Sequence, residues 1–126
     1  MRLLLDTHAF LWWLSDDRKL SAAARDAIRD PRTIVHVSAA SIWEIAIKAK
    51  LGRLRVRDGN LAAEIAANGF AELPITARHA QSAGALPRYH DDPFDRMLIT
   101  QAQMEDLVII THDRSFRRYG AQLLAT

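Results

Sequence analysis

The run Leu107-Val108-Ile109-Ile110, followed by Thr111-His112-Asp113, indicates the fold of this chain. A continuous apolar run rich in β-branched side chains is typical of a strand buried on both faces, as in a parallel sheet covered by helices. Near the start of the sequence, Leu3-Leu4-Leu5 is a second apolar run, and it also leads to an acid, Asp6. Two buried strands that each lead to a polar residue favour an α/β fold.

The rest of the sequence alternates apolar runs with helical patterns, which predicts an α/β domain with a mostly parallel sheet. The predicted strands are Leu3–Leu5, Thr33–Val37, Ala71–Ile75, Leu107–Ile110 and Gln122–Leu124. The predicted helices are His8–Leu14, Ala22–Arg29, Ile42–Leu51, Leu61–Ala67, Ala77–Ala83 and Pro93–Met104. Ser21, Thr76 and Asp92 are expected to cap helices at their amino ends, and Gly52 is expected to end the third helix.

Length and composition narrow the class of protein. The 126 residues, of which 49% are hydrophobic and 25% charged, suit one globular domain with its own core. The chain has no cysteine, which excludes disulfides, thiolate zinc sites and a cysteine nucleophile. The first residues begin like a signal peptide, but Asp6 and His8 interrupt the apolar run. We therefore expect a cytoplasmic protein that does not enter a membrane.

Acidic residues follow two of the predicted strands and lie near the start of two of the predicted helices. Asp6 comes directly after the first strand, and Asp113 comes shortly after the fourth. Glu44 and Asp95 are predicted to lie in the first turns of their helices. The carboxyl ends of parallel strands meet at one edge of a sheet, where open α/β sheets hold their functional sites. The four acids are therefore predicted to converge at that edge.

Each acid also has an ordinary structural interpretation. Asp6 and Asp113 suit caps or turns, and Asp95 suits the amino end of a helix. Glu44 comes three residues after Ser41, as in a capping box, and four residues before a lysine, as in a helical ion pair. Taken together, however, four converging carboxylates would repel one another unless a cation lay between them. Oxygen ligands suit Mg²⁺ or Mn²⁺, which can activate a water for hydrolysis of a phosphodiester.

Four short motifs, spread over nearly the whole chain, carry these acids. They are Leu3-Leu4-Leu5-Asp6-Thr7, Ser38-Ala39-Ala40-Ser41-Ile42-Trp43-Glu44-Ile45, His90-Asp91-Asp92-Pro93-Phe94-Asp95-Arg96 and Thr111-His112-Asp113. In this order they resemble the PIN-domain ribonucleases, specifically the VapC-type toxins of bacterial toxin–antitoxin modules. The resemblance implies a three-layer α/β/α fold with a central, mostly parallel sheet, formed by residues 1–126 as a single PIN domain. It also implies an endoribonuclease that hydrolyses RNA with a water activated by one or two Mg²⁺ or Mn²⁺ ions.

The family pattern assigns roles to residues around the site. The catalytic, metal-binding tetrad is Asp6, Glu44, Asp95 and Asp113. The supporting residues are Thr7 and Thr111 from that pattern, together with Asp92 and Arg96 from their positions at the start of the predicted helix. Both threonines match positions that support the acids or a metal-bound water, and Asp92 is expected to act mainly as a helix cap. Arg96 is expected either to contact a phosphate or, as the favoured interpretation, to pair with an acid and fix the pocket.

The resemblance also implies three partners, namely RNA, a small cognate antitoxin and a second copy of the chain. The candidates for phosphate contact are Arg53, Arg55, Arg57, Arg114, Arg117 and Arg118. For each of these, a solvated charged surface is an equally open interpretation. The antitoxin is expected to contact the apolar residues Phe10-Leu11-Trp12-Trp13. Four successive large side chains cannot all point inward from one helix, so one or two of them must face a loop, a partner or a second copy of the chain.

Two other function classes stay open. A receiver-like signalling domain has a similar length, a doubly wound fold and an acidic Mg²⁺ pocket. It needs an aspartate after a middle strand and a lysine after a late strand, whereas here Val37 leads to Ser38 and no lysine follows Lys50. A PIN-like domain that binds RNA without cleaving it is the second alternative, and the intact set of acids argues against it.

Overall fold

The computed structural model describes residues 1–56 and 59–126, and it contains a five-stranded sheet. The strands are β1 (Arg2–Leu5), β2 (Ile34–Ser38), β3 (Ala71–Leu73), β4 (Val108–Thr111) and β5 (Leu123–Ala125). Every paired neighbour runs parallel, in the order β3-β2-β1-β4-β5. The α/β fold class and the parallel sheet predicted from the sequence are confirmed. The third strand is shorter than predicted because Pro74 has no backbone N–H to donate to a neighbouring strand.

The described residues form six α-helices and one 3₁₀ helix, which surround the sheet. They are α1 (Thr7–Leu14), α2 (Ala22–Arg29), α3 (Ala39–Lys50), α4 (Leu61–Ala67), α5 (Ala77–Ala85), α6 (Pro93–Glu105) and the 3₁₀ helix Arg114–Tyr119. Ser21, Thr76 and Asp92 cap their helices as predicted, and Gly52 adopts a left-handed φ of 71° after α3. The 3₁₀ helix was not predicted. None of the described helices is long and apolar enough to cross a membrane.

The sheet is buried on both faces, which explains the unbroken apolar runs. Leu3 and Leu5 point to one face and pack with Phe10 in a core that α1, α2 and α3 share. Leu4 points to the other face and packs with Leu98 of α6. Each of these side chains is fully buried, and burying one such group stabilises a fold by about 1.5–3 kcal/mol. The result is the predicted arrangement of three layers, with the sheet between two layers of helices.

The strand order places β1 and β4 next to each other near the middle of the sheet, so their carboxyl ends lie side by side. The chain leaves β1 toward β2 and β3 on one side and later returns to β4 and β5 on the other. The backbone N–H of Asp6 donates to the carbonyl of Ile110, with 3.0 Å between nitrogen and oxygen, so the ends of β1 and β4 are joined. Open α/β sheets bind their ligands outside the carboxyl ends of the strands at this kind of reversal.

Candidate active site

A small, strongly acidic pocket of about 120 Å³ lies at the carboxyl ends of β1 and β4. Its lining residues are Asp6, Thr7, His8, Glu44, Lys48, Asp92, Asp95, His112, Asp113 and Phe116. All four acids predicted to converge from distant segments therefore border one cavity. The position of each carboxylate in the pocket is set by its own hydrogen bonds.

Asp6 serves as a helix cap and as a wall of the pocket at the same time. Its Oδ1 accepts from the backbone N–H of Ala9 at 2.8 Å, which caps α1. Burial raises the pKa of Asp6, and hydrogen bonds from the Thr111 side chain and from the backbone of Ala9 partly offset this rise. The cap interpretation and the pocket interpretation are thus both correct for this residue.

Glu44 enters the pocket from α3, which begins earlier than the sequence suggested. Ser38 caps this helix by accepting from the backbone N–H of Ala40, so Glu44 lies in the second turn and the predicted capping box with Ser41 is wrong. The Thr7 hydroxyl donates to Glu44 Oε1 at 2.7 Å, and Lys48 binds Glu44 Oε2 as the predicted helical ion pair. Thr7 and Lys48 therefore each orient one oxygen of the Glu44 carboxylate.

Two acids at the start of α6 lie close enough to interact. Asp92 caps the helix as predicted, because its Oδ1 accepts from the backbone N–H groups of Phe94 at 2.8 Å and Asp95 at 3.2 Å. Burial, followed by repulsion from Asp92, raises the pKa of Asp95 to about 7, while His90 acts in the opposite direction. Glu44 and Asp6 add further repulsion. The carboxylates of the pocket thus carry more negative charge than the basic side chains around them neutralise.

Asp113 is held rigidly at the end of β4. Its Oδ1 accepts from both the backbone and the hydroxyl of Ser115, at 2.9 and 2.6 Å, and its backbone N–H donates to the Thr111 hydroxyl. Burial alone would raise the pKa of Asp113, but the hydrogen bonds from Ser115 and His90 outweigh it, so the pKa is lowered. The Thr111 side chain therefore contacts both acids: it accepts from the backbone N–H of Asp113 and hydrogen-bonds the carboxylate of Asp6.

His90 is a member of the site whose role sequence reasoning missed. Its Nε2 lies 3.1 Å from Asp95 Oδ2 and 3.2 Å from Asp113 Oδ2. Its position in the loop before α6 indicates by itself only a loop or cap role. No spacing in the sequence shows that this loop folds back over the end of β4.

Comparisons with known proteins agree with this architecture. The family model described as PIN domain matches residues 3–122. This chain belongs to the PIN-domain family. It is 31% identical over 119 residues to Ribonuclease VapC22 of Mycobacterium tuberculosis, a match that covers 93% of this chain and 91% of that protein. The resemblance inferred from the four motifs is confirmed.

Solved structures show the same PIN fold. The VapBC2 structure from Rickettsia felis, bound to a DNA fragment of its promoter, aligns with a TM-score of 0.73 at 13% identity, covering 99% of this chain and 98% of that chain. The DNA-bound VapBC structure from Salmonella typhimurium aligns with a TM-score of 0.70 at 20% identity, with the same two coverages. At these identities the likeness is one of fold.

Within the described part of this PIN domain, the Arg96 guanidinium pairs with no acid, so the favoured interpretation of its partner is wrong. It donates instead to backbone carbonyls in the last turn of α5 and in the loop between α5 and α6. The accepting carbonyls are those of Ala83, Gly84, Leu86, Pro87 and His90. Five donors in a planar fork suit several carbonyls at once, which a spacing argument cannot reveal. Arg96 therefore holds in place the loop that presents His90.

The other predicted arginines lie outside the acidic pocket. Those that the structure describes are exposed, namely Arg53, Arg55, Arg114, Arg117 and Arg118. Arg57 lies outside the described residues. Arg55 borders a second, larger cavity of about 620 Å³, together with Lys19 and apolar side chains of α1. His8 borders both cavities, so the two are contiguous.

Three rings form a cluster where the two cavities meet. The ring centroids of His8 and Trp12 are 5.7 Å apart, and His112 lies 5.2 Å from His8 and 5.4 Å from Trp12. The ammonium of Lys19 lies over the Trp12 ring at 5.8 Å. Both histidines are exposed, whereas Trp12 is half-buried.

The apolar residues of α1 are less available than predicted. Phe10 is fully buried in the core, which excludes it from a partner contact. Trp13 packs against Phe70 and donates from Nε1 to Asn68 at 3.0 Å. Leu11 and Trp12 border the larger cavity, so they are the members of the apolar run that a partner can reach.

Proposed function

We propose that this chain is the toxin of a type II toxin–antitoxin module and acts as an endoribonuclease dependent on Mg²⁺ or Mn²⁺. The observation that carries the proposal is the meeting of Asp6, Glu44, Asp95 and Asp113 in one pocket at the reversal of strand order. The relative named as a ribonuclease and the VapBC structures with the same fold support it. Family and fold also argue against a receiver-like domain, since β2 ends at Ser38 rather than an aspartate.

The donor set fits one or two divalent cations. All four proposed ligands offer carboxylate oxygens, which Mg²⁺ and Mn²⁺ prefer. The pKa of Asp6 is raised by burial, and that of Asp95 is raised to about 7 by burial and by its acidic neighbours. A cation among these groups would relieve their desolvation and mutual repulsion. A bound ion would supply activation of water and stabilisation of charge at the phosphorus.

The remaining pocket residues orient and neutralise the acids. Thr7 fixes Glu44, and Thr111 contacts Asp6, so neither carboxylate has to be ordered when substrate arrives. Lys48 offsets the charge of Glu44 on the pocket wall. Its position there favours the approach of a phosphate to an otherwise acidic cavity. Asp92 acts mainly by capping α6, as the sequence suggested.

RNA is proposed to cross both cavities. The scissile phosphate would lie at the acidic pocket, and the adjoining strand would pass the rings of His8, Trp12 and His112. Lys19 and Arg55 border the larger cavity beyond them and would contact phosphates. Aromatic rings offer stacking surfaces for unpaired bases, which are the usual targets of proteins that bind single-stranded RNA.

The proposed restraint is a small antitoxin that covers the larger cavity. Leu11 and Trp12 provide apolar surface there, next to the charged rim formed by Lys19 and Arg55. A partner seated on these residues would block the proposed RNA path beside His8 without altering the acids. A homodimer and a cytoplasmic location complete the proposal, in line with the partners expected from the sequence.

The direct test is cleavage of RNA by the purified chain. We expect cleavage in Mn²⁺ or Mg²⁺, its loss in EDTA and its recovery when metal is restored. Sequencing of the RNA ends would then define the target. Undiminished cleavage in EDTA would contradict metal dependence. Binding of RNA without cleavage in any metal would instead favour the RNA-binding alternative.

A further inference from the structure

His90 is the side chain that bridges two of the proposed metal ligands. Its Nε2 lies within hydrogen-bond distance of Asp95 on α6 and of Asp113 at the end of β4. These acids come from different segments, 18 positions apart in the sequence numbering. The exposed fraction of the His90 side chain is 18%, so the ring is mostly enclosed. It therefore links two acids that border the pocket but come from different elements.

The backbone of His90 is fixed by residues on either side of the pocket. Its N–H donates to the Tyr119 hydroxyl at 2.8 Å, and its carbonyl accepts from the Arg96 guanidinium at 3.2 Å. The imidazole ring packs edge-on against Phe116, with 5.9 Å between ring centroids. Contacts to α6 and to the 3₁₀ helix thus set the position of the ring independently of the acids.

A backbone N–H decides which ring nitrogen of His90 carries the proton. Asp92 donates from its backbone N–H to His90 Nδ1 at 3.2 Å, and this requires a lone pair on Nδ1. In the neutral imidazole the proton is then on Nε2. Nε2 is the atom that faces both carboxylates: it forms a hydrogen bond with Asp113 Oδ2 as the donor and lies 3.1 Å from Asp95 Oδ2. A protonated nitrogen has no lone pair to offer a cation.

We propose that His90 is a positioning residue that donates from Nε2 to Asp113, beside Asp95 Oδ2, and thereby sets these two carboxylates for a divalent cation, without binding the cation itself. The proposal rests on the proposed function, because it takes these acids as metal ligands. A carboxylate has about four acceptor positions, so a bond to His90 leaves others for a cation. Asp113 is also held by Ser115 through its other oxygen, which fixes its plane.

The competing role for His90 is that of a direct nitrogen ligand. His90, Asp95 and Asp113 each present a possible ligand atom, and these atoms lie within 4.8 Å of one another. Direct ligation would require a free lone pair on Nε2 and the proton on Nδ1. The ring would then lose its bond from the Asp92 N–H. The two roles therefore predict different tautomers.

The first experiment reads the tautomer in the parent protein without metal. Long-range ¹H–¹⁵N correlation spectra of the imidazole are expected to show His90 protonated on Nε2. A signal for the Nδ1-protonated form would overturn the proposal. This measurement needs no variant, so it stands even if substitutions disturb folding.

The second experiment measures Mn²⁺ affinity by electron paramagnetic resonance in the parent, His90→Ala and His90→Gln. We expect His90→Ala to weaken Mn²⁺ binding about ten- to a hundredfold, as removal of a hydrogen bond to a ligating group commonly does. His90→Gln keeps an N–H donor and is expected to recover part of the affinity. His36→Gln is the matched control, because His36 lies on β2 next to the Leu3 carbonyl. Equal Mn²⁺ affinity in the parent and a folded His90→Ala variant would overturn the proposal.

Two further readouts separate positioning from ligation and from loss of structure. Electron spin-echo spectra of the Mn²⁺-bound parent are expected to lack the coupling of a directly bound imidazole nitrogen, and its presence would overturn the proposal. In cleavage assays, excess Mn²⁺ is expected to restore the kcat of His90→Ala with little change in KM for RNA. A parent that binds no Mn²⁺ would defeat the proposed function together with this inference. A parent that binds it equally well without His90 would defeat this inference alone.

Discussion

The two contiguous cavities differ in size and in the chemistry of the residues that border them. The acidic pocket has a volume of about 120 Å³ and is bordered by four proposed metal ligands with Lys48 as counter-charge. The larger cavity has about 620 Å³ and is bordered mainly by half-buried or exposed side chains of α1 and of the segment before α4. The comparison teaches that the smaller cavity suits chemistry and the larger one suits recognition.

The difference extends to how each region is held. In the acidic pocket, Asp6, Glu44 and Asp113 each accept at least one hydrogen bond of 2.9 Å or less. The larger cavity has ring contacts and a cation over Trp12 instead. Tightly held, mutually repelling groups lower stability unless a ligand binds, whereas loosely held rings adapt to a partner. Substitutions in the two regions should therefore change different properties.

The largest expected effect follows the removal of a proposed metal ligand. Asp6→Asn keeps an oxygen that can accept from Ala9 and cap α1, but it removes the negative charge from the pocket. We expect cleavage to fall by more than about a hundredfold, since loss even of an indirect contact to a metal ligand commonly costs ten- to a hundredfold. RNA cleavage assays and circular dichroism check activity and fold.

Asp30→Asn is the matched control for that substitution. Asp30 pairs with Arg32 beyond the end of α2, outside the residues that line the acidic pocket. Its variant should cleave RNA like the parent. Parent-like cleavage by Asp6→Asn would contradict the assignment of the acidic pocket to the chemistry.

A smaller effect is expected from Arg96→Ala, which removes the anchor of the loop before α6. Hydrogen bonds from a charged group contribute about 1.5–3 kcal/mol, so the free energy of unfolding should fall by about that amount. Because the same loop presents His90, Mn²⁺ affinity should fall as well. Urea unfolding and Mn²⁺ titration measure the two effects. Unchanged stability would show that the carbonyl contacts contribute little.

The third prediction concerns the repulsion stored in the acidic pocket. The pKa of Asp95 is raised from 3.8 to about 7, first by burial and then by Asp92. A carboxyl group with a raised pKa in the folded state lowers the free energy of unfolding as the pH rises from about 4 to about 7. In metal-free buffer at pH 8, Asp95→Asn should therefore be more stable than the parent by about 1–3 kcal/mol.

Thermal unfolding checks this prediction with and without Mn²⁺. The stability difference between parent and Asp95→Asn should shrink at pH 5, where the folded parent keeps the Asp95 proton. Mn²⁺ should raise the Tm of the parent more than that of the variant. Equal Tm values at pH 8 in the absence of metal would show that the pocket stores no such repulsion.

The smallest effect is expected in the larger cavity. Replacing Lys19 and Arg55 together with alanine should weaken RNA binding several-fold and reduce the salt dependence of binding by about one to two phosphate contacts. The kcat at saturating RNA should stay close to that of the parent. An equal loss of kcat and no change in salt dependence would contradict the division between the two cavities. Arg32→Ala, outside both cavities, is the control.

The sequence predicted the features that depend on local residue patterns, and it missed those that depend on contacts between residues far apart in the chain. The apolar runs of β1 and β4 predicted a doubly covered sheet, and position at the strand ends predicted where Asp6 and Asp113 would lie. The capping box at Ser41 was wrong because Ser38, the last residue of β2, caps α3. A serine three residues before a glutamate does not reveal which of two serines ends the strand.

The environment of His90 could not be predicted for the same reason. Tyr119 lies 29 positions away, and Arg96 binds the loop through carbonyls, which carry no sequence signature. The burial of Phe10 could not be predicted either, because a run of four adjacent apolar residues does not show which of them faces inward. Only the assembled helices decide that Phe10 is buried while Leu11 and Trp12 border a cavity.

The central claim is that the four carboxylates of the acidic pocket bind the cation required for cleavage. An anomalous-scattering map of crystals grown with Mn²⁺ tests it most directly. The account predicts one or two anomalous peaks within ligand distance of Asp6, Glu44, Asp95 and Asp113, and none on His90 Nε2. Mn²⁺ bound only at other sites, with this pocket empty at saturating metal, would contradict it.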